Sequence, residues 1–241
     1  MKIKNLKRQY KHISDLDTMH ESGQDSEYFL TGYRALKICC SYANISKKDN
    51  LRILDFPCGY GRVMRWFRNQ FPSSEIFGCE IDSRMLDFVE KEFGAKRIQS
   101  NDEMDISLPI DLDVIFVGSL LTHFDEHQWD KFLFMCQGGL AIEGILVFTT
   151  HGRRNALMAR DRHSIYGTLV DTPALYAQYI IGGFSYLPYE PTWPTFGLSL
   201  SSPEWVMRKI LQFSDLKIIH MAEGEWGQDV WVLKKVNEKM K

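Results

Sequence analysis

Much is missing from this sequence, and each absence narrows the reading. Across 241 residues no apolar run reaches the roughly 18 residues that a membrane-spanning helix needs. The start, MKIKNLKRQYKH, is basic but has no apolar core behind it, so a secretion signal is not expected. There are five cysteines (Cys39, Cys40, Cys58, Cys79, Cys136) and no C-x-x-C pair. An odd count without a leader predicts reduced thiols and a cytoplasmic location. Formal net charge is -2, too small to draw the chain onto nucleic acid or an acidic membrane surface. Repeats and low-complexity tracts are absent. So is H-E-x-x-H: the nearest stretch, His123 to His127, reads HFDEH, with the acid in the wrong place for zinc chemistry, and no metal is expected.

The remaining composition is that of an ordinary folded domain, 44% hydrophobic and 25% charged, long enough for one large α/β unit with an elaboration. Its organising stretch is Leu51 to Arg62, LRILDFPCGYGR. A short apolar run ends in Asp55, a Pro57-Cys58-Gly59-Tyr60-Gly61 turn follows, and helical spacing resumes with Val63, Trp66 and Phe67. Strand, glycine turn and helix in that order bring backbone N–H groups close to a ligand. About 25 residues on, a second apolar stretch, 75–79, ends in Glu80, an acid placed to accept both hydroxyls of a ribose. Arg62 and Arg65 either cover the turn or face solvent.

These residues resemble the class I methyltransferases that use S-adenosylmethionine, whose first motif is D-x-G-C-G-x-G after an apolar strand. Asp55, Cys58, Gly59 and Gly61 match, while Pro57 stands for the first glycine and removes one N–H. The resemblance narrows to an uncharacterised bacterial subgroup through Tyr28-x-x-x-Gly32, D-x-P-C-G-x-G-R, S-L-L-T-H at 119–123, F-T-x-H-G at 148–152 and a terminal Q-D-V at 228–230. A histidine that often precedes that last motif is replaced by Gly227. The resemblance implies a Rossmann-like, doubly wound, seven-stranded mixed sheet. It also implies S-adenosylmethionine held by Asp55, Pro57, Cys58, Gly59, Tyr60, Gly61, Glu80 and Ile81, with Asn101 or Asp102 near the adenine. Gly118 and Ser119 would lie beside the methionine part, and Tyr28 would cap the cleft. Tyr28 is equally well read as a packing aromatic, and Asn101-Asp102 as a polar turn.

Taken in order, residues 1–50 read as a helical cap with a polar lead-in to 27 and a helix over 28–44, and residues 51–241 as the methyltransferase domain. Helices are expected over 62–71 and 83–93, the latter opened by Asp82 and closed by Gly94. Strands are expected near 95–100, 112–118 and 144–150. Asp125 opens a helix with Trp129, Leu133 and Phe134 turned inward, and Gly138-Gly139 marks a turn. Residues 153–203 form an insert between strands five and six. Its arginines (Arg153, Arg154, Arg160, Arg162) either hold an anion or are solvated. From Tyr166 on it is rich in aromatics, glycine and proline, with no regular periodicity. Pro203 opens a helix, and 216–221 and 230–235 form an antiparallel hairpin.

His151, leaving the fifth strand at the edge where ligands sit in parallel sheets, and His123, at the cleft mouth, are the candidate catalytic bases. Each has a structural alternative, as a loop residue or a loop-bonding histidine. The expected reaction is methyl transfer to a hydroxyl of a small molecule or glycan, with neither nucleic acid nor membrane as partner. The alternative is a non-catalytic binding protein or partner subunit of the same fold. A nicotinamide dehydrogenase would share the acid and turn but wants G-x-G-x-x-G, and Met64 stands where its last glycine belongs.

Overall fold

The computed structural model describes residues 6–43, 50–165, 170–189 and 193–237, with the side chains of 193 and 194 undescribed. Seven strands make one sheet: β1 Arg52–Asp55, β2 Glu75–Glu80, β3 Lys96–Gln99, β4 Leu112–Val117, β5 Leu140–Thr150, β8 Leu216–Ala222 and β9 Asp229–Lys235. Their order is β3-β2-β1-β4-β5-β9-β8, parallel except for β9, which runs antiparallel to both its neighbours. The order reverses between β1 and β4, so the C-terminal ends of these two strands open a crevice.

Alternation along each central strand explains why helices cover both faces. Ile53, Val114, Phe116, Ile145 and Val147 share one buried layer with α1 (Asp25–Tyr42), α2 (Met64–Gln70) and α3 (Ser83–Phe93). Leu54, Ile115, Val117, Leu146 and Phe148 face α4 (Glu126–Gly139) and α7 (Pro203–Ile210). Leu6, Tyr10 and the buried face of α1 belong to the first layer, so residues 6–43 share a core with the sheet. The helix starts are those the capping residues predict. Asp82 accepts from the Arg84 N–H, Asp125 makes a reciprocal capping box with Gln128, and Gly94 ends α3 in the left-handed region.

Three expectations need correction. Phe134 is 71% exposed: α4 buries Trp129, Phe132, Leu133 and Cys136, and Phe134 falls on the opposite side. Gly138-Gly139 ends α4 rather than forming a separate turn, and β5 begins at Leu140, with an irregularity in its pairing to β4 before Ile145. The insert is regular over most of its described length. It holds α5 (Arg153–Arg160), α6 (Thr172–Gly182) and an antiparallel hairpin of β6 (Phe184–Tyr189) and β7 (Trp193–Ser201) around a small core of its own. Aromatic and proline content hid the strand alternation there. The arginines are on the surface side: Arg153 pairs with Glu204 and Glu223, and Arg160 with Asp161. The expected connector at 44–50 and Tyr166 lie almost wholly outside the described residues.

Gly32, in the Tyr28-x-x-x-Gly32 motif, is where α1 meets the start of α2. A Cβ there would sit 2.0 Å from the Arg62 carbonyl oxygen. Gly32→Ala is expected to destabilise the protein by roughly 1–3 kcal/mol through overpacking. A urea unfolding midpoint that falls at unchanged m-value would register it.

Candidate active site

The crevice at the β1–β4 reversal is a cleft of about 540 Å³. Its floor is the stretch from Asp55 to Val63. Gly59 (φ 48°) and Gly61 (φ 74°) take left-handed backbone, which glycine adopts without strain. A Cβ on Gly61 would also lie 2.3 Å from the Phe93 ring. The Phe56–Pro57 peptide is cis.

Two acids stand at the floor. Asp55, at the end of β1, is fully enclosed, and its Oδ2 has no hydrogen-bond partner among the described residues. Burial holds its carboxyl well above the usual carboxylate range, against the pull of the Met64 N–H and the Arg62 guanidinium. Glu80, at the end of β2, is tied into the turn: Oε2 accepts the Gly59 N–H at 3.0 Å and Oε1 the Ile81 N–H at 2.7 Å. Burial raises it too, while these N–H groups pull it down.

The walls come from four further places. Gly118, Ser119 and Leu120 follow β4, and Ser119 is itself left-handed (φ 61°). His123 closes the short 3-10 turn Leu121–His123. Tyr189 and Phe196 reach in from the β6–β7 hairpin, and Trp226 from the β8–β9 connection. Asp17, Thr18 and Met19 arrive from the N-terminal segment. Arg62 lines the cleft beside Asp55, its guanidinium about 6 Å from the Tyr28 and Trp226 rings.

Of the sequence candidates, Asp55, Pro57, Cys58, Gly59, Tyr60, Glu80, Ile81, Gly118, Ser119 and His123 line this cleft. Gly61 shapes the turn without lining it. Tyr28 stands behind the wall and donates its hydroxyl to Asp17 at 2.6 Å. Asn101 and Asp102 do not reach the cleft: the Asn101 amide closes its own turn onto Asp105, and Asp102 accepts from Thr195. His151 is corrected as a base. The β7 strand lies over the end of β5, Ser201 donates its N–H to the His151 carbonyl, and the ring is sealed with Nδ1 3.3 Å from the Ser199 carbonyl. Burial, with His123 nearby, pulls its pKa down to about 3. His151 does leave the C-terminal end of β5, and the hairpin from later in the chain covers it there.

Sequence reasoning missed Asp17, Thr18, Met19 and Trp226 as cleft residues, while Tyr189 and Phe196 belong to the aromatic insert. The first three sit in a segment whose polarity reads as solvated, and only Tyr28 pointed towards them.

Residues 54–146 match a family model described as a methyltransferase domain. A tRNA (guanine-N(7)-)-methyltransferase of Bombyx mori is 36% identical over 63 residues, which is 26% of this chain and 27% of that enzyme. Solved structures share the fold over most of the chain. A SAM-dependent methyltransferase of Methanosarcina mazei aligns with a TM-score of 0.57 at 15% identity, over 83% of this chain and 97% of the other. An S-adenosylmethionine-dependent methyltransferase fold from Listeria monocytogenes gives 0.59 at 13%, over 85% and 99%. The plantazolicin methyltransferase BpumL, solved with S-adenosylhomocysteine (SAH), gives 0.57 at 14%, over 89% and 91%.

Residues 54–146 are therefore similar to a methyltransferase domain, and the fold is the one these solved methyltransferases share, whose cofactor is S-adenosylmethionine. The residues present fit that molecule. The unpartnered Asp55 oxygen suits an ammonium group, Glu80 a ribose diol, and a floor of carboxylates a sulfonium cation.

Glu80→Ala is expected to weaken SAH binding by about 10–100-fold, the loss of one or two hydrogen bonds to a charged group. Binding to the parent protein should also weaken as pH falls towards the raised Glu80 pKa, because protonation removes an acceptor. Calorimetric titration across pH tests both. Unchanged affinity in the variant would overturn the ribose assignment.

Proposed function

We propose that the protein transfers the methyl group of S-adenosylmethionine to a hydroxyl of a small molecule or glycan unit, with His123 as the general base. The observation that carries this reading is the setting of the His123 ring. Its Nδ1 lies 3.1 Å from the Gly197 carbonyl and 2.9 Å from the Tyr189 hydroxyl. A carbonyl oxygen only accepts, so Nδ1 carries the proton and Nε2 keeps its lone pair. Nε2 makes no hydrogen bond among the described residues, and the side chain lines the cleft. Burial lowers the pKa of the ring, so it is neutral near pH 7 and ready to accept a proton.

When bound, the cofactor supplies a methyl group that is already electrophilic. The chain's own part is to hold both reactants in line, which can supply on the order of 7–11 kcal/mol of the barrier. Asp55 and Glu80 anchor one side. Phe116, Phe196, Tyr189 and Trp226 form an aromatic wall that excludes water and suits the flat face of a ring or sugar. A nucleic-acid acceptor, as the name of the Bombyx relative would suggest, is disfavoured by the net charge of -2 and by the pairing of Arg153 and Arg160 with acids.

His123→Gln is expected to lower kcat by about 10²–10⁴-fold with SAH affinity retained. In the parent enzyme, kcat/KM should fall on the acid side at a lower pH than an ordinary histidine would give, as the depressed pKa is crossed and the base is protonated. Screening hydroxylated aromatics and sugars by transfer of a labelled methyl group provides the assay. SAH binding with no turnover on any acceptor would favour the non-catalytic partner reading instead.

A further inference from the structure

Ser119, Thr149 and Gln228 form a closed set of hydrogen bonds at the rim of the cleft, and the donors in it have a direction. The Ser119 N–H donates to Thr149 Oγ1 at 2.8 Å. Thr149 in turn donates its own proton to Gln228 Oε1 at 2.5 Å. The Gln228 amide then donates from Nε2 to Ser119 Oγ at 2.9 Å. Thr122 adds a bond from its hydroxyl to the Ser119 carbonyl at 2.8 Å. Thr149 and Gln228 are buried, and Ser119 is held in left-handed backbone. The Ser119 oxygen therefore already accepts, and its own proton has no acceptor among the described residues. The residue lines the cleft, so that proton is offered there.

We infer that Gln228 is a positioning residue that, with Thr149, fixes the Ser119 hydroxyl as a donor to the carboxylate of the cofactor's amino-acid group. The order of strand ends assigns the ligand atom. Glu80 on β2, Asp55 on β1 and Ser119 after β4 follow one another across the sheet, with Asp55 paired to Phe116 in register. A ribose at Glu80 and an ammonium at Asp55 leave the carboxylate, which shares a carbon with the ammonium, on the β4 side. A carboxylate needs donors, and Ser119 presents one. The inference rests on the cofactor assignment above and goes beyond it to Gln228, which does not line the cleft.

The test is calorimetric titration of the full chain with SAH and with 5′-methylthioadenosine, which keeps the adenosine and lacks the amino-acid group. Gln228→Met, Ser119→Ala and the double variant are compared with the parent. Each single change is expected to weaken SAH binding by roughly five- to tenfold, as for one bond to a charged group. The double variant should be no weaker than Ser119→Ala, because Gln228 acts through the serine. Affinity for 5′-methylthioadenosine should stay the same in all three, which also shows that the cleft is folded. Parallel loss of both ligands would mark Gln228 as merely structural, and additive losses or unchanged SAH affinity would equally overturn the inference. If the parent protein binds neither ligand, the cofactor assignment itself falls, and the inference with it.

Discussion

The guanidinium of Arg65 ties together three parts of the chain: the glycine turn, the N-terminal segment and α1. It is fully buried on α2 and donates to the Gly61 and Tyr60 carbonyls of the glycine turn, to the Tyr10 and His12 carbonyls of the N-terminal segment, and to the Tyr28 hydroxyl of α1. The Tyr28, Phe29 and Phe93 rings lie within 5.1–5.6 Å of it. Burying a cation without a carboxylate in contact costs several kcal/mol, which only a full set of acceptors and aromatic faces can offset. Asp17 is the nearest acid in the chain of contacts, reached through Tyr28. Because Tyr28 bonds both Arg65 and Asp17, the wall that Asp17, Thr18 and Met19 give the cleft is held in place by the same cation that braces the turn. Cradle and cap are therefore one mechanical unit.

The cleft so formed holds more negative than positive groups. Asp55, Glu80, Asp82 and Asp17 all line it, with Arg62 as the cation among them. Desolvation lifts the pKa of Asp55 and Glu80 without removing their capacity to meet a cation. Such a floor is costly for the empty protein and favourable once a positive ligand supplies the missing partner. A cationic group such as a sulfonium or an ammonium would supply that partner, whereas a second carboxylate at the turn itself, Asp55, would repel the phosphates of a dinucleotide.

The legible parts of the chain were those whose cause is local. Asp55, the Gly59 and Gly61 turn, Glu80 and the helix opened by Asp82 follow from short-range pattern, and the structure has them at or within two residues of the expected positions. The illegible parts were set by distant contacts. Arg65 reads equally as covering the turn or facing solvent, and it is the N-terminal carbonyls, far away in the chain, that complete its burial. Phe134 looked like a core residue because its neighbours are. Asn101 and Asp102 are polar in the expected place, but their turn bonds to itself and to the insert. In His151 a correct strand end was overtaken by a hairpin contributed from 50 residues later, at Ser199 to Ser201.

That hairpin governs both histidines. One strand, β7, seals His151 with the Ser199 carbonyl and the Ser201 N–H, and a few residues earlier offers the Gly197 carbonyl to His123. Its partner β6 ends in Tyr189, whose hydroxyl shares the same Nδ1. At Gly197 a Cβ would lie 2.2 Å from the Leu187 carbonyl, so the glycine is what allows the two strands to close there and the carbonyl to face the ring. The insert thus does more than border the cleft. It takes one of two neighbouring histidines out of reach of the cleft and sets the tautomer of the other. The floor acids Asp55 and Glu80 stand on the sheet, while the ring of His123, in the turn after β4, is oriented by the insert. Changes within the hairpin would therefore reach the His123 ring first, because the contacts that hold Asp55 and Glu80 come from other parts of the chain.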